Sequence, residues 1–158
     1  MTPWWKGARG EWFVVAQVVL VALVFFGPRT LPGLPAFPIP RVCSAAGIVL
    51  MVLGAALLLA GLIRLGPNLT PLPYPRDRAT LIETGAYRWV RHPMYAGGIL
   101  AAFGWALVVH GGLTLGYATL LLIFADIKSR REERWLRERF AGYAAYARRV
   151  KKLVPFVY

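Results

Sequence analysis

An uncharged stretch in the first half of the chain limits what the chain can fold into more than any other feature. No charged side chain occurs between Arg41 and Arg64, and most of the intervening residues are Ala, Val, Leu, Ile or Gly. A helix needs about 20 predominantly apolar residues to cross the hydrocarbon core of a bilayer. We therefore expect this stretch to form a membrane-spanning helix.

Three shorter apolar stretches extend this prediction to the whole chain. With 58% hydrophobic residues among 158, the chain is too apolar for an ordinary soluble domain. The predicted spans are residues 11–27, 42–64, 93–110 and 113–127, and Gly111-Gly112 makes the last two an antiparallel hairpin. After Asp126 the pattern becomes that of a basic amphipathic helix. The expected fold is a single all-α integral membrane domain over residues 1–158, with about four transmembrane helices and a C-terminal amphipathic cytoplasmic helix.

The net charge of +12 is distributed unevenly over this predicted topology. With four spans, 17 of the 19 Lys and Arg residues fall on the side of the two termini. Because basic segments stay in the cytoplasm, we expect a multi-pass protein with both termini cytoplasmic. A composition rich in Ala, Arg, Gly, Leu and Val is compatible with a GC-rich bacterial source and thus with a bacterial inner membrane. The expected partner of the basic tail is a bilayer with anionic headgroups, not nucleic acid.

Polar side chains gather where the predicted third span begins and where the fourth ends. The segment from Gly85 to Gly97 precedes and enters the third span, and Arg130-Arg-Glu-Glu-Arg134 follows the fourth. Two carboxylates and one histidine among many arginines suit a metal ion poorly, so we expect no metal site. The same groups suit a ligand that carries both charges, because carboxylates bind its positive part and arginine, histidine and backbone N–H groups its negative part.

Local geometry predicts more about these groups. Pro93 stands at a typical first helical position, so His92 is expected at the helix N-cap. Glu132 and Glu133 are adjacent on a helix and diverge by about 100°. One of them is therefore expected to pair with arginine and the other to face the helix bundle.

Three motifs stand in these two polar segments: Thr84-Gly-x-Tyr-Arg88, Arg91-His-Pro-x-Tyr-x-Gly97 and Glu132-Glu-x-x-Leu136. Together they resemble the isoprenylcysteine carboxyl methyltransferase family, which belongs with the phospholipid N-methyltransferases among the integral-membrane methyltransferases. The resemblance covers roughly the C-terminal two thirds of the chain. Its specific part is the combination of Arg-His-Pro with Glu-Glu, and the first predicted span carries no family signal.

The resemblance implies a cofactor, S-adenosylmethionine, with S-adenosylhomocysteine as its product. Residues 84–158 would hold it between the last two spans and the C-terminal helix. Either glutamate would receive the ammonium or the ribose hydroxyls, His92 would orient the amino-acid end, and Gly97 would let the cofactor approach the backbone. The cofactor-binding positions of the family fall on Tyr87, Arg91, His92, Pro93, Tyr95, Gly97, Glu132 and Glu133.

The implied reaction is a direct displacement at the methyl carbon, with a lipophilic small molecule or a lipid as acceptor. A carboxylate acceptor needs no base, whereas an amine, thiol or hydroxyl must first lose a proton. The candidate catalytic residues are His92 and Tyr87 as bases and Arg88 as the partner of an anionic acceptor. For Arg88, contact with lipid headgroups is the alternative. The acceptor, the base and the oligomeric state stay open.

A second class of function fits part of the sequence equally well. A non-catalytic membrane scaffold or lipid-binding protein would also have a basic tail and a strong charge asymmetry. Only the Arg-His-Pro and Glu-Glu motifs distinguish the two classes, and they favour the enzyme.

Overall fold

The computed structural model describes residues 10–33, 40–70, 72, 74, 79–154 and 158, and the regular elements within these ranges are helices joined by turns and loops. Two short 3-10 turns, Gly66–Asn68 and Gly85–Arg88, lie near the middle of the chain. The Lys and Arg residues at positions 1–9 and 76–78, which the predicted charge asymmetry includes, lie outside the described ranges. The α-helices are α1 (Glu11–Phe26), α2 (Pro40–Leu65), α3 (Pro93–Val108), α4 (Gly112–Arg139) and α5 (Tyr143–Arg149).

The four long helices occupy the positions of the four predicted spans. Among the described residues, α2 and α4 are long and apolar enough to cross a membrane, and α1 and α3 are shorter apolar helices. The all-helical prediction is confirmed, and the four-span topology stays a prediction. The end of the fourth span near residue 127 stays a prediction, and α4 itself continues without a break to Arg139. The basic segment is thus a continuation of this helix, and only the short α5 follows it.

Helices α2 and α3 approach each other so closely that only glycine fits between them. A Cβ atom at Gly47 would lie 2.5 Å from the carbonyl oxygen of Gly104, and one at Gly54 would lie 2.6 Å from that of Gly97. Small residues allow such backbone contact between membrane helices. We call this set the glycine seam, and it consists of Gly47, Gly54, Gly61, Gly97 and Gly104.

The opposite side of the bundle is packed with larger side chains. Helix α1 lies against α4 and α3, and Val24 is 2% exposed at this contact. Its neighbours in the buried cluster are Ala102 of α3 and Ala118 and Leu121 of α4. The seam and this cluster fix α3 between the other helices, with its first turn at the polar end of the bundle.

The C-terminal segment completes that polar end. The backbone N–H of Arg91 donates to the carbonyl of Lys151 at 2.8 Å, and that of His92 donates to Lys152 at 3.1 Å. The Lys152 ammonium in turn donates to the Asp126 carboxylate of α4 at 2.5 Å. The start of α3 is therefore connected to α4 through the chain that follows α5.

Candidate functional site

A cavity of about 310 Å³ lies at the polar end of the bundle. We call it the polar cavity. Its walls come from α1, the segment between α2 and α3, the first turn of α3, the last part of α4, and α5. Its volume is in the range of small-molecule sites. The polar residues that line it are Gln17, Asn68, Thr70, Thr80, Tyr87, Arg91, His92, Tyr95, Lys128, Glu132, Tyr143 and Tyr146.

One wall is built on a buried ion pair. The Arg91 Nε donates to the Glu133 Oε1 at 2.9 Å, and the His92 Nε2 lies 3.1 Å from the same oxygen. The Arg91 Nη1 also donates to the backbone carbonyl of Ala147 at 3.0 Å. Since a buried carboxylate requires such partners, Glu133 fixes the start of α3 against α4 and α5.

The neighbouring carboxylate faces the cavity. The Tyr95 hydroxyl donates to the Glu132 Oε2 at 3.0 Å, and the Glu132 side chain is 26% exposed, against 8% for Glu133. The Tyr95 ring is stacked on the His92 ring at a centroid distance of 5.5 Å. Glu133 pairs with arginine as expected, but both glutamates contact the start of α3, so facing the bundle does not distinguish them. Glu132 is the carboxylate available to a positively charged ligand group.

Three tyrosines from outside the long helices complete the lining. Burial raises the pKa of the Tyr87, Tyr143 and Tyr146 phenols well above its usual value, and the charge of Glu132 adds to the effect at Tyr87. All three phenols therefore stay protonated at neutral pH. The Tyr146 hydroxyl donates to the backbone carbonyl of Tyr87 at 2.6 Å. The buried Tyr143 hydroxyl has no hydrogen-bond partner among the described residues.

A second cavity of about 260 Å³ continues from the first into the apolar part of the bundle. We call it the apolar cavity. Most of its lining is apolar and comes from α1, α2, α3 and α4, including Val21, Leu58 and Phe124. Four residues line both cavities: Gln17, Met94, Tyr95 and Lys128.

The structure brings five of the predicted site residues together at the polar cavity and places Glu133 directly behind it. The five that line the cavity are Tyr87, Arg91, His92, Tyr95 and Glu132. Helix α3 begins at Pro93 as predicted, but the His92 side chain at the N-cap binds Glu133 and makes no capping hydrogen bond.

The remaining three predicted residues have other positions. Gly97 does not lie in the cavity lining, because it packs against the Gly54 backbone in the glycine seam. Pro93 is buried against Gly61 of α2. Arg88 is exposed and lies outside the lining of both cavities. Packing against α2 thus gives a reason for glycine at position 97 that the sequence did not reveal, and the approach of a cofactor to this residue stays a prediction.

Sequence reasoning missed several lining residues. Gln17 lies on the helix that carries no family motif, and Lys128 and Tyr143 lie outside the three motifs. A lysine and a glutamate spaced four residues apart share a helix face, and this spacing was the available signal for Lys128 beside Glu132.

Two observations define what the site can bind. Among the described residues no group of three His, Cys, Asp or Glu could hold a metal ion. The polar cavity instead combines a carboxylate (Glu132), the guanidinium of Arg91, the imidazole of His92 and protonated phenols with apolar walls such as Leu81 and Phe140. This donor set suits a zwitterionic ligand with an apolar or aromatic portion.

Comparison with known proteins places the chain among the methyltransferases. A family described as phospholipid methyltransferase matches residues 42–142. The protein-S-isoprenylcysteine O-methyltransferase of Saccharomyces cerevisiae is 30% identical over 122 residues, which are 74% of this chain and 51% of that protein. The probable protein-S-isoprenylcysteine O-methyltransferase of Oryza sativa subsp. indica is 29% identical over 118 residues, or 72% of this chain and 62% of that protein.

A third relative has a different kind of name. The cobalt-zinc-cadmium resistance protein CzcN of Cupriavidus metallidurans is 27% identical over 150 residues, which are 92% of this chain and 62% of that protein. The chain thus spans about half to three fifths of the length of these relatives.

Proposed function

The chain belongs to the phospholipid methyltransferase family, with relatives among the isoprenylcysteine methyltransferases, and we propose that it methylates a lipophilic acceptor with S-adenosylmethionine as the methyl donor. The observation that carries this proposal is the juxtaposition of Glu132, Arg91 and His92 around one cavity at the polar end of the bundle. A scaffold or lipid-binding protein would have no evident use for this buried arrangement of charges.

The residues of the polar cavity fit the cofactor. Glu132 would receive its ammonium group, and the guanidinium of Arg91 with His92 would bind its carboxylate. The buried Tyr143 hydroxyl, which has no partner among the described residues, would gain one from the ligand. Leu81, Phe140 and neighbouring apolar residues would cover the adenine. When bound, S-adenosylmethionine supplies an electrophilic methyl carbon.

The protein would contribute mainly position and exclusion of water. Glu133 holds Arg91 and His92 in place through hydrogen bonds of 2.9 and 3.1 Å, so the cavity wall is fixed before any ligand binds. The raised pKa of the Tyr87 phenol disfavours this residue as a base. His92 is the remaining candidate for a base, and its ring already lies 3.1 Å from the Glu133 carboxylate.

The acceptor would arrive from the bilayer. The apolar cavity adjoins the polar cavity and offers a place for an alkyl or isoprenoid chain beside the reacting groups. We further propose that α1 to α4 all cross the membrane, with both termini and the polar cavity in the cytoplasm of a bacterial cell. The charge asymmetry, with 17 of 19 cations on one side, supports this topology.

Ligand-induced stabilisation tests the proposal directly. A ligand that binds only the folded protein raises its apparent stability. We expect both S-adenosylmethionine and S-adenosylhomocysteine to raise the unfolding temperature of the detergent-solubilised protein, and adenosine to do so less. A screen of extracted lipids with methyl-labelled cofactor should then give a labelled lipid together with S-adenosylhomocysteine. Absence of stabilisation by either compound at millimolar concentration would contradict the proposal.

A further inference from the structure

The segment that follows α5 joins the start of α3 to the middle of α4. We call residues 150–154 the strap. The backbone carbonyls of Lys151 and Lys152 in the strap accept hydrogen bonds from the backbone N–H groups of Arg91 and His92. Arg91 and His92 line the polar cavity, so two residues of the candidate site take their backbone position from the strap.

One residue of the strap provides the attachment to α4. Lys152 is 6% exposed, and its Nζ donates to a carboxylate oxygen of Asp126 at 2.5 Å and to the Asp126 backbone carbonyl at 3.2 Å. The backbone carbonyl of the same lysine accepts the His92 N–H at 3.1 Å. A single buried residue therefore connects His92 to α4.

The Asp126 carboxylate has two further donors, and they differ from Lys152 in what they connect. The Tyr158 hydroxyl donates to one carboxylate oxygen and the Arg130 Nε to the other, both at 2.7 Å. The Arg130 side chain is 66% exposed and, among the described residues, makes no hydrogen bond to the strap. Lys152 is thus the cation that attaches the strap to this carboxylate.

The strap also packs behind the apolar cavity. Leu153 is 4% exposed and lies in a buried cluster with Ile99 of α3 and Ala125 of α4. Both of these residues line the apolar cavity. The ion pair of Lys152 and this cluster together hold the strap against α3 and α4.

Helix α4 therefore holds the start of α3 at two levels, about two turns apart. At the first level Glu133 binds the side chains of Arg91 and His92. At the second level Asp126 binds Lys152, whose carbonyl holds the His92 backbone. The first contact orients the two side chains and the second places their backbone. Both matter for a binding site, because a displacement of about 1 Å can cost much of its effect.

From this geometry we propose that Lys152 is a positioning residue for the cofactor. By holding the strap against Asp126, it keeps Arg91 and His92 where they bind the carboxylate of S-adenosylmethionine. The inference rests on the proposed methyltransferase function. Lys152 lines neither cavity, so it acts on the cofactor through these two residues and not by contact.

The test uses the full chain in detergent, as wild type, Lys152→Met, Lys152→Arg, Asp126→Asn, and Asp126→Asn combined with Lys152→Met. Two controls each remove one cation: Lys151→Met at the exposed neighbouring position of the strap, and Arg130→Met at the same carboxylate. The readouts are the calorimetric affinity for S-adenosylhomocysteine, the unfolding temperature, and hydrogen exchange without ligand at the backbone N–H groups of the two residues that precede α3.

Lys152→Met should weaken the binding of S-adenosylhomocysteine by about tenfold and speed exchange of the two N–H groups, because the strap loses its attachment to α4. Lys152→Arg should restore most of both values, since a guanidinium can donate to the same oxygens. Asp126→Asn should lower the affinity as well. The double variant should lose no more than Lys152→Met alone, because the two residues act as one unit. Both controls should match the wild type.

Three results would overturn the inference while the wild type still binds S-adenosylhomocysteine. The first is wild-type affinity and exchange in Lys152→Met. The second is an equal loss of affinity in Lys151→Met, which would assign the effect to net charge. The third covers a Lys152→Met protein that does not fold, in which case wild-type affinity in Asp126→Asn refutes the role. A wild type that binds no S-adenosylhomocysteine refutes the proposed function itself, and the inference with it.

Discussion

The two sides of α3 meet their neighbours in opposite ways. Toward α2 the contact is the glycine seam, where a Cβ atom on a seam glycine would lie as close as 2.5 Å to a backbone carbonyl oxygen. Toward the last part of α4 and α5, the two residues that precede α3 make polar contacts, with Arg91, His92 and Glu133 joined by hydrogen bonds of 2.9 to 3.1 Å. The seam leaves no space between the helices, whereas the polar side borders a cavity of about 310 Å³.

The difference assigns packing stability to one side of α3 and the candidate site to the other. Close backbone packing stabilises a helix pair without a hydrophobic driving force. That contact fixes α3, so its other side can keep a cavity open at little cost to the fold. The following substitutions address this separation and are ordered by their expected effect on stability.

Arg91→Met should have the largest effect on stability. It leaves the buried Glu133 carboxylate without its 2.9 Å partner and removes a donor from the carbonyls of Ala147 and Val150. Loss of one member of a buried ion pair costs about 3–5 kcal/mol. The unfolding temperature in detergent should fall sharply, and cofactor binding should be lost as well. An exposed control, Arg148→Met, should unfold at the wild-type temperature.

Gly97→Ala should weaken the seam without touching the polar side. The added Cβ would lie 2.5 Å from the Gly54 carbonyl oxygen, so α2 and α3 must separate, at an expected cost of about 1–3 kcal/mol. Gly98→Ala is the matched control, because a Cβ there meets no atom within 4 Å. Thermal unfolding of the two variants side by side measures the difference. Equal stability would refute the role assigned to the seam.

Tyr143→Phe should leave stability almost unchanged. Its hydroxyl is buried and has no hydrogen-bond partner among the described residues. Removing the hydroxyl therefore leaves no other buried polar group without its hydrogen bond. If the hydroxyl binds the cofactor, the affinity for S-adenosylhomocysteine should fall about threefold to tenfold, which corresponds to one neutral hydrogen bond. Thermal unfolding gives the stability and titration calorimetry gives the affinity, both on the same preparation. An unchanged affinity would remove Tyr143 from the binding site.

The sequence predicted the helices better than the contacts between them. Uncharged runs and Gly111-Gly112 located the four long helices, because hydropathy and chain breaks are local properties. The packing role of Gly97 was not predicted, since close approach to Gly54 depends on a partner 43 positions away in the chain. The change in polarity near Asp126 falls inside α4, and the sequence did not show that the fourth span and the basic segment form one continuous helix.

The candidate site shows the same limit. Adjacent glutamates diverge on a helix, so different contacts for the two were predictable from the sequence. Which of the two pairs with Arg91 depends on how α4 packs, and the sequence does not predict it. Gln17 and Lys128 line the cavity because α1 packs against α4, and the sequence does not reveal this contact. Sequence motifs thus located the polar wall, and tertiary packing defined the cavities.

Calorimetric binding of S-adenosylhomocysteine to the wild type, Glu132→Gln and Glu133→Gln tests the central claim most directly. Glu132 faces the cavity with 26% of its side chain exposed, so Glu132→Gln should lower the affinity about tenfold to a hundredfold at unchanged unfolding temperature. Glu133→Gln should lower both the affinity and the stability, because Glu133 holds Arg91 and His92. Wild-type affinity in both variants would contradict the assignment of this cavity to the cofactor.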